Sequence, residues 1–233
     1  MGYIQSGSAQ IYNEVYGSGD EILVLLHGNC ENLKNFKHQV EYFKDKYTVL
    51  AIDSRGHGES TFGDGELSLN LMANDVINVI EDYGYKRVNI LGFSDGANIA
   101  MIVAMRRPDL IDKLILAGGN LTPKGMKLGL RIQCGIAYRL NCWASRLTPG
   151  ISPEVEYLSL MVKEPNITKP ELKLVKAKTL VVAGDKDMIK RSETRAIAEG
   201  IENSRLEIMK GDHFIVYKKP DEFNKLVEEF LNA

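Results

Sequence analysis

Short, continuous apolar runs separated by turn formers set the rhythm of this chain. Glu21 to Leu26, Tyr47 to Ile52, Val88 to Phe93, Lys113 to Ala117, Thr179 to Ala183 and Arg205 to Met209 are each strand-sized. Most are apolar along their whole length, as strands covered on both faces must be. Between them, apolar residues recur at helical spacing. Leu33, Phe36, Val40 and Phe43 form one such face; Met72, Val76, Val79, Ile80 and Tyr83 form another, behind a Ser68 N-cap and ahead of Gly84. The helix expected after Ser94 carries Gly96, Ala100 and Ala104 at every fourth position, a smooth side that can lie close to a sheet, and it should end before Pro108. Arg191 to Glu199 reads as a further helix, and the last opens at Pro220 and buries Phe223, Leu226, Val227, Phe230 and Leu231. Near the start, Ile11 to Tyr16 and Glu21 to Leu26 flank the turn Gly17-Ser18-Gly19-Asp20 and predict a hairpin leading into the sheet.

The rhythm breaks between residues 120 and 170, where Pro123, Gly125, Gly129, Gly135, Pro149 and Gly150 interrupt the pattern and Ser152-Pro153 opens a helix. Two or three short helices are expected there. The whole predicts an α/β fold with a mostly parallel central sheet flanked by helices: a core made of 1–119 and 171–233, and a helical cap over 120–170 inserted between strands. Eight equivalent βα units, which a closed barrel would need, are not found. In an open parallel sheet, ligands meet the carboxyl ends of the strands, so chemical groups should lie just past each one.

Composition narrows the function. The 233 residues are 44% hydrophobic, enough to bury a core without disulfides. The 29 Lys and Arg against 31 Asp and Glu give a net charge of −2, poor material for tracking phosphates, so no nucleic-acid partner is expected. No apolar run approaches the roughly 18–20 residues of a bilayer-spanning helix, so no membrane partner is expected either. Met1-Gly2-Tyr3 opens without the basic and apolar regions of a secretory signal. Cys30, Cys134 and Cys142 lack metal-ligand spacing and fit a reducing compartment, hence a cytoplasmic protein.

Gly92-Phe93-Ser94-Asp95-Gly96 matches G-x-S-x-G between a predicted strand and a predicted helix. A tight turn there holds the serine in a strained conformation and raises its hydroxyl at the helix N-terminus. A serine hydroxyl needs a base within hydrogen-bond reach. Of the 4 histidines, His27, His57 and His213 follow strand ends, whereas His38 falls within an amphipathic helix. The orienting acid should follow another strand, where Gly184-Asp185-Lys186-Asp187 offers two candidates, Asp185 and Asp187. An oxyanion hole needs two N–H groups. One is that of Asp95; the other belongs to the loop His27-Gly28-Asn29-Cys30, with Asn29 the first choice and Cys30 the near alternative.

In this order, His27-Gly28, Asp53-Ser54-Arg55-Gly56-His57-Gly58, the Gly92 to Gly96 elbow, Gly184 to Asp187 and Gly211-Asp212-His213 resemble the α/β-hydrolase family, specifically its small capped serine esterase and lipase-like branch. The likeness covers essentially the whole chain and implies the α/β-hydrolase fold. It implies Ser94 as nucleophile, Asp187 as acid and His213 as base, with the main-chain N–H groups of Asn29 and Asp95 as oxyanion donors. Arg55 and His57 become loop scaffold. No metal and no organic cofactor are implied, and the partner is a small-molecule ester, with monomer and homodimer both compatible. The implied activity is hydrolysis of small carboxylic esters through an acyl-enzyme, as in a carboxylesterase. Alternatives within the resemblance are a carbon–carbon bond hydrolase or menaquinone-pathway lyase-like enzyme, in which Lys127, Arg131 or Arg139 would meet a substrate carboxylate, and an α-amino ester hydrolase. The last draws on Ser94-Asp95-Gly96, which is similar to the elbow of valacyclovir hydrolase-like enzymes. A hydrolase-like ligand receptor is the non-enzymatic alternative. In the cap, Met126, Tyr138, Trp143, Tyr157 and Met161 are candidates for lining a substrate pocket, or for packing the cap itself.

Overall fold

Continuous apolar strands feed two cores at once, because successive side chains leave a strand on opposite faces. The computed structural model describes residues 1–146 and 152–233, so the Pro149-Gly150 interruption lies outside the described residues. In chain order the strands are β1 (Gly2–Ser6), β2 (Ala9–Tyr16), β3 (Ile22–Leu26), β4 (Thr48–Ile52), β5 (Val88–Phe93), β6 (Ile111–Ala117), β7 (Lys178–Gly184) and β8 (Ser204–Met209). The helices are α1 (Lys37–Phe43), α2 (Leu69–Asp82), α3 (Asp95–Arg106), α4 (Leu128–Ser145), α5 (Pro153–Lys163), α6 (Arg191–Gly200), α7 (Ile215–Lys218) and α8 (Pro220–Leu231). All strands join one sheet in the order β1-β2-β4-β3-β5-β6-β7-β8. From β4 onward the neighbours are parallel, whereas β1, β2 and β4 pair antiparallel.

Val24 and Leu26 of β3 pack with α2 and α3, while Leu23 and Leu25 of the same strand pack with α1 and α8. Ser68 caps α2 by accepting the N–H of Leu71 at 3.1 Å. Gly96, Ala100 and Ala104 are all buried, so α3 sits close under β5 as its small residues allow.

The hairpin expected from Ile11 to Leu26 does not form. β2 pairs with β1, and β4 lies between β2 and β3. The four-residue turn instead crosses past the end of α1: a Cβ at Gly17 would stand 2.0 Å from the Lys44 carbonyl oxygen. Between β6 and β7 the chain builds α4 and α5. α4 runs 18 residues through both Gly129 and Gly135, longer than the short helices expected there. A helix-interior glycine costs only about 1 kcal/mol, which neighbouring turns absorb.

The loop after β4 is anchored from behind. Arg55 makes two hydrogen bonds to Asp75 of α2, at 2.8 and 2.6 Å, and one to the Ser6 carbonyl at 3.0 Å, all in the interior. These contacts fix the end of β4 beside that of β3, where the loop with Asn29 begins.

Candidate active site

β5 ends in a turn that only a particular sequence can make. Ser94 holds φ 53 and ψ −118, one of two non-glycine residues with positive φ among those described. A conformation of this kind stores on the order of 1–3 kcal/mol, which surrounding structure must hold. The turn is tight enough that a Cβ on Gly92 would stand 2.3 Å from the Gly96 carbonyl oxygen, and one on Gly96 would stand 2.0 Å from that of Leu26. Glycine at both positions is thus a steric requirement of the elbow. The Ser94 N–H is tied to the Ala117 carbonyl at 2.8 Å, leaving its half-buried hydroxyl facing outward from the sheet edge.

The loops after β7 and β8 bring two further groups to that hydroxyl. His213 Nε2 lies 3.0 Å from Ser94 Oγ, and His213 Nδ1 lies 2.7 Å from Asp187 Oδ1. Both Asp187 and His213 are buried. A carboxylate facing Nδ1 assigns the proton to that nitrogen and leaves the Nε2 lone pair for the serine O–H. Asp187 Oδ1 also accepts the Ile189 N–H at 2.8 Å, which orients the carboxylate, while its buried Oδ2 has no partner among the described residues. Asp185, the other acid of this loop, turns away and accepts the Gly211 N–H at 2.9 Å. It ties the two loops together, and Asp187 is the one that reaches the imidazole.

Asn29 reaches the same place from the end of β3. Its side chain spans outward: Nδ2 donates to the Tyr157 carbonyl at 2.8 Å and Oδ1 lies 3.2 Å from His57 Nε2. The Gly28 N–H donates to Glu31, whose carboxylate also accepts the Tyr217 hydroxyl at 2.7 Å. His27 fixes the root of this loop, with Nδ1 on the Gly28 carbonyl at 2.7 Å and Nε2 accepting the Ser54 N–H at 3.0 Å. Burial, reinforced by neighbouring His57, lowers His27 to about 3, so it is neutral at working pH. His57 is likewise lowered by burial and Nδ1 donates to the Arg55 carbonyl. Neither ring touches Ser94. The Cys30 thiol is pushed up, mainly by burial, the opposite of an activated nucleophile.

A small cavity of about 40 Å³ opens beside Ser94 and His213, lined by Asn29, Asp95, Met126 and Met161, roughly a water's share of space. Asn120, Glu164, Met188 and Ile189 complete it, and none of these was singled out from the sequence. Asn120 ends the Gly118-Gly119 turn past β6, and Met188 and Ile189 directly follow Asp187, so the strand-end rule had the reach to find them. Glu164 carries no such signal, since the returning chain after α5 delivers it.

Asp95 is the charged group next to Ser94 in sequence. Its Oδ1 accepts from Asn98 at 3.2 Å, and its sealed Oδ2 has no partner among the described residues. Burial raises its carboxyl to about 6, against the opposing bond from Asn98. Burial also raises Glu164. The charged lining of the cavity is therefore acidic. Lys127 instead lines a separate hollow with Asp185, Arg131 lines another with Lys124 and Lys163, and Arg139 is exposed. Of the aromatics on α4 and α5, Trp143 is exposed, Tyr138 sits under the Lys163 ammonium, and Tyr157 donates to the Gly56 carbonyl at 2.6 Å behind the Asn29 loop. None of these three lines the Ser94 cavity.

Residues 21–133 match the family model described as alpha/beta hydrolase fold. Serine hydrolase BPHL of Mus musculus is 29% identical over 239 residues, covering 92% of this chain and 80% of that relative. 3-Oxoadipate enol-lactonase 2 of Acinetobacter baylyi is 26% identical, with 93% of this chain and 91% of the relative covered. Among solved structures, an esterase from Exiguobacterium antarcticum superposes with a TM-score of 0.84 at 23% identity, covering 100% of both chains, a likeness of fold.

Proposed function

We propose that the chain is a member of the α/β-hydrolase family, whose model it matches over residues 21–133, and a serine hydrolase that cleaves small carboxylic esters through an acyl-enzyme. The observation that carries this reading is the unbroken sequence from Asp187 Oδ1 through His213 to Ser94 Oγ, with contacts of 2.7 and 3.0 Å, ending at a cavity. His213 Nε2 takes the Ser94 proton as Oγ adds to the ester carbonyl carbon. The main-chain N–H groups of Asn29 and Asp95 hold the oxyanion. When the carbon–oxygen bond to the leaving group breaks, His213 returns the proton to the departing alcohol. A water then loses its proton to His213 and adds to the acyl carbon, the bond to Oγ breaks, and Ser94 regains its proton. Asp187 keeps the imidazole in the required tautomer and stabilises its cation. Relatives named as a serine hydrolase and an enol-lactonase support hydrolysis as the reaction class.

The cavity favours α-amino esters as a second reading on one point: the charged residues that line it beside His213 are two carboxylates, Asp95 and Glu164. A substrate ammonium would complement that acidic lining. Carbon–carbon hydrolysis of a dienoic acid would instead need cations in the cavity, and neither Lys127, Arg131 nor Arg139 lines it.

Assaying p-nitrophenyl acetate, a glycine ester, an amide and a dienoic acid with wild type and Ser94→Ala tests these readings together. Ester turnover that falls by about a thousandfold or more in Ser94→Ala supports the proposal. Equal turnover in both proteins contradicts it.

A further inference from the structure

Cap helix α4 turns an apolar face to solvent. Leu128, Ile132, Ile136, Leu140 and Trp143 are between 53% and 66% exposed. Their spacing places all of them along one stripe. Cys134, the buried residue of α4, lies on the opposite side, where its Sγ meets Met161 Sδ of α5 at 4.0 Å. The stripe therefore points away from the cap's own packing. Single exposed apolar residues are ordinary on a protein surface, but a contiguous row along one helix marks an interaction surface.

Charge says what kind. Lys127, Arg131, Arg139 and Arg146 stand on or beside α4, and the sequence has neither Asp nor Glu from Lys113 through Pro153. By helical geometry, Arg139 and Arg146 fall within the arc of the stripe itself. On a chain of net charge −2, this is a local concentration of positive charge. A second copy meeting this face about a two-fold axis would set the arginines against each other. An anionic bilayer surface offers both complements, an acyl layer for the aliphatic and indole groups and phosphates for the guanidinium groups.

We propose that the outer face of α4 docks on anionic lipid, lying along the surface without crossing it. Lengths of apolar run forecast spanning helices and do not bear on such a contact. Among the described residues no helix is long and apolar enough to span. The docked stripe begins two residues after Met126, which lines the Ser94 cavity.

Trp143 is the 1 tryptophan of the chain, so its emission reports this face directly. The full chain is titrated with phosphatidylcholine vesicles and with vesicles that also contain about 30 mol % phosphatidylglycerol. The emission should shift to the blue, and the protein should sediment, with the anionic vesicles only, and added salt should weaken the binding. Ile136→Asp combined with Leu140→Asp, and separately Arg139→Glu, should each lower vesicle partitioning by about tenfold or more. Both should keep the wild-type rate on p-nitrophenyl acetate, while circular dichroism and the thermal midpoint check their folding independently of hydrolysis. Three results would overturn the assignment: no binding to anionic vesicles, binding that the variants leave intact, or wild-type self-association by light scattering that Ile136→Asp abolishes.

Discussion

Gly118 lies directly against the imidazole of His213: a Cβ added at this glycine would stand 2.8 Å from Cε1 and 3.0 Å from Nδ1. The residue also holds φ +68, a region that L side chains enter at a cost of about 1–2 kcal/mol. Two loops thus meet at a contact with no room for a methyl group, and the ring's position depends on it. Gly118→Ala should push the imidazole off the line between Ser94 and Asp187. Steady-state kinetics should give a kcat lower by about 10²-fold with KM little changed, in a protein whose circular dichroism remains native.

Asp187 should act through the orientation and charge of His213. In Asp187→Asn the residue loses its negative charge and favours the wrong tautomer, so kcat should fall by about 10³–10⁴-fold. Asp185→Asn offers the contrast. It alters a bond to the Gly211 N–H away from the serine, and its kcat should stay within about threefold of wild type. Equal losses in the two variants would contradict the roles proposed for these acids.

Asp95 should make stability and selectivity depend on pH in a defined window. Burial lifts its carboxyl from the ordinary 3.8 to about 6. Between those values the folded chain binds more protons than the unfolded one, so its stability falls as pH rises through the window and levels off above it. The stabilising effect of Asp95→Asn on the thermal midpoint should therefore be larger at neutral pH than at about pH 4. If the ionised group attracts a substrate ammonium, the ratio of kcat/KM for a glycine ester over that for p-nitrophenyl acetate should climb as pH rises through about 6. That climb should vanish in Asp95→Asn.

The residues that meet at Ser94 were legible where they sit at strand ends. Ser94 announces itself through glycines that its turn cannot do without, and His213 and Asp187 follow β8 and β7 on loops that the sheet's own topology brings together. The choice between Asp185 and Asp187 was not legible from spacing, because it turns on which carboxylate the backbone rotates inward. β1 escaped notice because its inward positions are Ile4 and the buried polar Ser6, which gives no apolar alternation. The hairpin expectation failed for a related reason. A turn between two strands records that the chain reverses or crosses, not which neighbour each strand takes, and β4 claims the place beside β3 through parallel pairing. Trp143 read equally well as pocket or packing, yet its position on α4 points it to solvent.

The Arg55–Asp75 pair should matter for stability rather than turnover. Both side chains are almost wholly buried, and the guanidinium also satisfies the Ser6 carbonyl. Arg55→Met leaves an uncompensated carboxylate in the interior and should cost about 3–5 kcal/mol in urea unfolding. Removing the carboxylate as well, with Arg55→Met and Asp75→Leu together, should recover part of that loss.

The most direct test of Ser94 as the proposed nucleophile is to trap it. Wild type and Ser94→Ala are each treated with a fluorophosphonate, and the intact mass and the modified peptide are measured. One phosphonyl adduct should form on wild type, carried by Ser94, and none on Ser94→Ala. An adduct on another residue, or an unmodified wild-type protein that still hydrolyses p-nitrophenyl acetate, would contradict that role for Ser94.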